Sequence, residues 1–431
     1  MPNVRATKLK KRAQGNKLPL QRVVKILLTV FLIACGIWLG RSPRFYNEAL
    51  LSTFFAATLT GANVIHFRIR PAKEDALLVL CGTFLFAAID FQLLHYRPAL
   101  AAWLSFAGLS SLVVLGARTI WAEGSARRFL ALGFVPAVLL VGSEYVASTF
   151  LEWTAAAHPR VLDLYLYSFD ASLGVQLPFL VGRAFVKWPY LRLASLISYV
   201  GLGIPIALIY VGRLLRLREK AVPSFIALLA TGPMGVLFYN LFPALGPVHL
   251  FRAQFPYDPI ATAQVSRLYL ERVKLFGPPN AIPSLHMAWA LLVWWYSRGL
   301  SWWERSVALG FLVFTALATL GTGEHYFVDL VVAFPFAILV EGVWALNLSW
   351  NDKRRVIAAT GGLICTLGWF AALRYGMRFF WLSPLFPWAL CACTIALSLA
   401  LELRLSRSLV KTGTEHALPR SCALSQLDGV K

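Results

Sequence analysis

His286 and His325 are the residues on which chemistry is most readily built. They stand 39 positions apart, each opening a long apolar run, "HMAWALLVWWYS" for the first and "HYFVDLVVAFPFAILV" for the second. One membrane helix, a short turn and one helix back consume about 40 residues. Both histidines therefore fall at the same membrane face, each near the start of its helix. A helix start exposes unpaired N–H groups and the positive end of the dipole. Two such starts side by side suit an anion, phosphate above all. Asp329 follows His325 by four positions, on the same helix face. A carboxylate accepting from one imidazole nitrogen fixes the tautomer and makes the other nitrogen more basic. Such a histidine is a good nucleophile toward phosphorus. His286, with an ordinary pKa near ~6.5, is the candidate acid for the leaving oxygen. Pro283 suits a first helical turn, where its missing N–H is not needed. Ser284 adds a hydroxyl donor and Asn280 a cap. An aspartate in an apolar helix is costly, and paired ionisable groups there usually mark function.

The elements that must position these groups are membrane helices. Of 431 residues, 58% are hydrophobic and 14% charged, where a soluble protein carries roughly 25% charged; the mean hydropathy is +0.65. The fold class expected is all-α, a polytopic integral membrane protein of about twelve transmembrane helices. Approximate limits for the spans are 23–40, 49–67, 76–95, 99–117, 129–148, 190–212, 223–242, 283–299, 304–322, 325–347, 355–375 and 379–403. Basic residues gather in alternate connections, such as Arg118, Arg127 and Arg128, then Arg213, Arg216, Arg218 and Lys220, then Lys353, Arg354 and Arg355. The positive-inside rule then puts both termini in the cytoplasm and both histidines at the extracytoplasmic face of the plasma (inner) membrane. The net charge of +21 is accounted for by these loops, so nucleic acid is not a partner. The six cysteines, most of them in apolar runs, read as small core residues and not as a disulfide or metal framework.

The chain divides into a basic arm (1–22), accessory helices (23–128), a catalytic core (129–347), C-terminal helices (348–405) and a polar tail without periodicity (406–431), read as disordered. Two long connections, about 149–189 and 243–282, fall on the side of the histidines. The first contains "VLDLYLYSFDASLGVQLPFLVGR", amphipathic and suited to an interfacial helix or a re-entrant piece. Glu341, 16 positions past His325, is expected near the inner face, about 24 Å from the chemistry.

At Pro283–His286 ("PSLH") and His325–Asp329 ("HYFVD") the sequence resembles the type 2 phosphatidic acid phosphatase superfamily of membrane phosphoesterases, in its Pro-Ser-x-His and His-x-x-x-Asp motifs. The branch of inositol phosphorylceramide synthases and related inositolphosphotransferases is the more similar, with "FPALGP" (Phe242–Pro247) alongside. The resemblance implies a six-helix core in which His325 attacks phosphorus to form a phosphohistidine and Asp329 orients it. It implies that His286 is acid and then base, and that Ser284 helps hold the phosphoryl oxygens. The superfamily's Lys-x6-Arg-Pro motif is absent, and Ala318 and Thr319 stand where Ser-Arg usually precedes the third motif. Phosphoryl transfer needs stabilisation of spreading negative charge. Arg252, Arg272 and Lys274 are the candidate cations, with His249 as a neutral donor.

The expected activity is that of a lipid phosphatase or phosphotransferase without metal or cofactor, acting on a lipid phosphate in the bilayer. Transfer of an inositol-phosphate-type head group to a polyol is slightly favoured; hydrolysis alone, of a prenyl or phosphatidic acid phosphate, is the alternative. A secondary transporter would show two similar halves, each with polar residues near the midplane. Here the polar cluster sits at one end of two helices in the second half.

Overall fold

The computed structural model describes residues 53–69, 71–94 and 100–414, with a few isolated positions between 22 and 30. Most of the first expected span and of the basic arm, and the last 17 residues of the tail, lie outside the described residues. Among those described, the structure is all-helical, with one isolated bridge between Val161 and Val273 and no strand. The chain forms two compact units, 1–141 and 142–431. In the first, α1 (Thr53–Arg68) and α2 (Lys73–Leu94) both pack on α3 (Leu100–Trp121), and Arg118 pairs with Asp75 at 2.5 Å. Helix α4 (Gly124–Ala157) runs from this unit into the next.

The second unit holds α5 (Asp163–Ser172), α6 (Leu177–Lys187), α7 (Pro189–Val200), α8 (Gly203–Leu217) and α9 (Val222–Leu241). It continues with α10 (Leu285–Tyr296), α11 (Trp302–Gly321), α12 (Phe327–Trp344), α13 (Lys353–Tyr375) and α14 (Leu385–Thr414). Helix α12 is its axis, buried along most of its length and packed against α9, α10, α13 and α14. Apart from Asp329 and Glu341 it is apolar all round, as a helix surrounded by other helices must be. Small residues let its neighbour in: a Cβ on Gly362 of α13 would lie 2.5 Å from the Leu339 nitrogen, so the two backbones touch only because none is there.

Seven described helices are long and apolar enough to span a membrane, eight if the α5–α6 pair, bent by 85°, counts as one. Three differences from the sequence expectations, two of them in the twelve spans, have physical causes. The 190–212 run is broken at Gly201–Leu202 into α7 and α8, which hydropathy does not register. The run after His286 yields only twelve helical residues, α10, too few to span alone. The "VLDLYLYSFDASLG" connection is not an interfacial helix with a wet face: Asp163 and Asp170 are buried. The helix through Ser406 also continues to Thr414, into the tail read as disordered. Of the described cysteines, all unpaired, Cys391 is buried, whereas Cys81 and Cys393 are exposed and so are not core residues.

Candidate active site

The segment before α10 and the start of α12 meet at His325. Its Nδ1 lies 2.8 Å from the Ala281 carbonyl oxygen, and its Nε2 lies 3.2 Å from Ser284 Oγ. A carbonyl only accepts, so Nδ1 carries the proton and Nε2 keeps the lone pair in the neutral ring. The Ser284 hydroxyl then donates to Nε2. The expected orienter, Asp329, has Oδ2 3.5 Å from Nδ1, beyond good hydrogen-bond range. The Ala281 carbonyl fixes the tautomer, and the carboxylate acts on the ring through its charge. Asp329 Oδ2 accepts instead from the Tyr326 N–H at 2.7 Å, while Oδ1 is buried without a hydrogen-bond partner. His325 is 2% exposed, Ser284 and Asp329 0%.

Backbone contacts hold these pieces in register. The Ser284 N–H donates to the Asp329 carbonyl (3.2 Å), the His325 N–H to the Thr319 carbonyl (3.1 Å) and the Ala281 N–H to the Ala244 carbonyl (2.9 Å). Ser284 is the N-cap of α10, its Oγ accepting from Met287 N at 3.4 Å. Asn280 is therefore not the cap, and Pro283 precedes the helix instead of opening its first turn.

Two aspartates that sequence reasoning did not single out organise the site from α5. Asp170 accepts from the N–H groups of Phe327 (2.6 Å) and Val328 (3.2 Å), capping α12 from another helix. Asp163 accepts from Leu245 and Gly246 N–H (3.1 and 2.8 Å) and from the Tyr326 hydroxyl (3.1 Å). A Cβ on Gly246 would lie 2.3 Å from the Glu324 carbonyl oxygen, and its φ is +137°, so only glycine fits this corner. Their seven-residue spacing, which puts both on one helix face, was the available signal. The consequence corrects the anion cradle expected of two helix starts. The opening N–H groups of α12 already face carboxylates, which leaves the Ser284 hydroxyl as the donor beside His325.

His286, in the first turn of α10, packs against two rings. It stacks on Tyr199 with centroids 3.9 Å apart and an 18° interplanar angle, and meets Trp289 edge-on at 6.0 Å and 86°. On the 243–282 connection, Arg252, Arg272 and Lys274 are all exposed, and Lys274 lies over the Phe276 ring at 5.9 Å. Among the described residues, the Arg252 side chain makes no hydrogen bond or ion pair. His249 is not a plain neutral donor: its Nε2 lies 3.6 Å from Glu324 Oε2, and the nearby carboxylate raises its pKa above the ordinary 6.5. Glu341 is buried on α12 beyond the chemistry, as is Glu402 of α14, which pairs with Arg298. No group of three or more His, Cys, Asp or Glu side chains suits a metal among the described residues.

No curated protein and no solved structure matches the chain. Residues 164–343 match the model of the PAP2 superfamily, a stretch that takes in Ser284, His286, His325 and Asp329, and this match supports membership of that superfamily and a lipid-phosphatase-type function in a multi-pass membrane protein.

Proposed function

We propose that this chain transfers a phosphoryl-type group from a membrane lipid through a covalent phosphohistidine on His325, with an alcohol as the favoured acceptor and water as the alternative. The lone pair of His325 Nε2 forms the N–P bond while the P–O bond to the leaving group breaks. His286 gives its proton to that oxygen. In the second step His286 takes the proton of the acceptor hydroxyl, the new O–P bond forms and the N–P bond breaks. The ring of His325 gains positive charge as Nε2 bonds phosphorus. The Ala281 carbonyl and the buried Asp329 carboxylate oppose that charge and stabilise the intermediate. Ser284 Oγ, freed from Nε2 by the attack, turns its donor to a phosphoryl oxygen. Asn280 and Arg252 are assigned to substrate binding, Arg252 as an exposed cation for a head group. The charge alternation of the loops supports an extracytoplasmic site. The resemblance of "PSLH", "HYFVD" and "FPALGP" to inositolphosphotransferases supports transfer to a polyol.

One observation carries the reading: the buried His325 is fixed by the Ala281 carbonyl through Nδ1, and its Nε2 faces the Ser284 hydroxyl. The test supplies purified protein in detergent with labelled lipid phosphates, with and without inositol or another polyol. Transfer predicts a labelled polyol phosphate that requires the polyol. Release of inorganic phosphate alone sinks the transferase part, and full activity of His325→Ala sinks the mechanism.

A further inference from the structure

The two histidines are supported in different ways. His325 has hydrogen-bond partners on both ring nitrogens. His286 packs against aromatic rings: Tyr199 lies nearly parallel to it at 3.9 Å, and Trp289 meets its edge. Trp289 is itself pinned, its Nε1 donating to the Leu228 carbonyl at 2.7 Å. Tyr199 comes from α7, which ends one residue later at Val200. The Tyr199 ring thus lies against the imidazole proposed to move a proton.

We infer that Tyr199 is the positioning residue of the acid–base step: its ring face sets the plane of His286 and carries the proton-bearing form of that imidazole against the leaving oxygen. A planar contact at this distance removes tilt from the imidazole, and a misplacement of about 1 Å costs roughly 10²-fold in rate. The negative face of an aromatic ring also attracts a cation above it, so Tyr199 favours the imidazolium that donates the proton. Both effects need the ring and not the hydroxyl. The inference rests on the role proposed for His286.

The experiment reads the first turnover of the purified full chain with two substrates of different leaving group. Phosphatidic acid expels a poor alkoxide that needs a proton, whereas 4-nitrophenyl phosphate expels a stable phenolate that hardly needs one. For Tyr199→Leu the expected loss is about 10–100-fold with phosphatidic acid, and at least tenfold smaller with 4-nitrophenyl phosphate. Tyr199→Phe restores both rates. In a His286→Ala background, Tyr199→Leu costs less than about twofold more, because two changes acting through one group do not add. Equal losses on the two substrates, failure of Tyr199→Phe to restore the rate, or full additivity with His286→Ala overturns the inference. Should the leucine variant fail to fold, Tyr199→Met, ringless and adaptable, is read in its place. Normal rates in His286→Ala and His325→Ala would instead defeat the proposed function itself, an outcome distinct from any result for Tyr199.

Discussion

The start of α12 and the start of α10 each present a histidine, yet they are built from opposite materials. At α12 three buried carboxylates, Asp163, Asp170 and Asp329, occupy the backbone N–H groups of Leu245, Gly246, Tyr326, Phe327 and Val328. At α10 the histidine is framed by Tyr199 and Trp289. The difference fits the two tasks. A nucleophile must keep one tautomer and tolerate positive charge when phosphorylated, which a carbonyl and a carboxylate provide. The proposed acid–base group, His286, must gain and lose a proton, and the Tyr199 ring packs on the face of its imidazole.

The sharpest way to break this comparison is to delete each histidine and vary the leaving group. His325→Ala should lower the first-turnover rate by roughly 10⁴-fold or more with any phosphate, since no nucleophile remains. His286→Ala should cost about 10²–10⁴-fold with phosphatidic acid but far less with 4-nitrophenyl phosphate. Stopped-flow release of nitrophenolate beside quenched-flow turnover of the lipid separates them. Equal behaviour of the two variants would remove the division of labour.

Asp329→Asn is expected next in size. It keeps the shape but removes the charge beside His325, and supporting groups of this kind are typically worth about 10–100-fold. Because Ala281 still holds Nδ1, the nucleophile should stay in place; KM should hold while kcat falls. A collapse equal to that of His325→Ala would mean that the carboxylate, and not the carbonyl, fixes the tautomer.

Asp170→Ala tests the clamp rather than the chemistry. Two N–H groups at the start of α12 would lose their acceptor inside the protein, at a cost of about 1–3 kcal/mol each. The thermal midpoint in detergent should drop, and Asp170→Asn, which keeps one acceptor oxygen, should recover part of it. An unchanged midpoint in Asp170→Ala would show that α12 does not depend on α5.

The smallest effect is at the rim. The pKa of His249 is raised by Glu324, so the contact is fully present below the ordinary value of 6.5 and is lost as pH rises through the raised value. Both side chains are partly exposed, and such a pair contributes about 0.2–1 kcal/mol. Wild type should be slightly more stable than Glu324→Gln at pH 6, and the gap should close at alkaline pH. A gap that widens with pH would contradict this sign.

Much of the site was legible because it depends on side-chain type and spacing. The 39-position interval of His286 and His325 and the four-residue step to Asp329 follow from the length of a membrane helix and its pitch. The group that orients His325 was not legible, because any residue offers a carbonyl and the sequence at Ala281 says nothing of its direction. Asp163 and Asp170 were hidden for a related reason. Their partners are backbone N–H groups 82 to 158 positions away, so in sequence they look like the polar side of an amphipathic helix. The span count suffered where hydropathy cannot see a break, at Gly201–Leu202, or a helix that stops early, at Tyr296.

The most direct test of the account is to trap and map the covalent intermediate. Rapid mixing with labelled substrate, quenching in alkali and peptide mapping by mass spectrometry locate the phosphoryl group, and phosphorus NMR assigns the ring nitrogen. The account predicts an acid-labile, alkali-stable phosphohistidine at His325, on Nε2, absent in His325→Ala and longer-lived in His286→Ala. A label on His286, a label on Nδ1 of His325, or turnover with no phosphoenzyme under any trapping condition would contradict it.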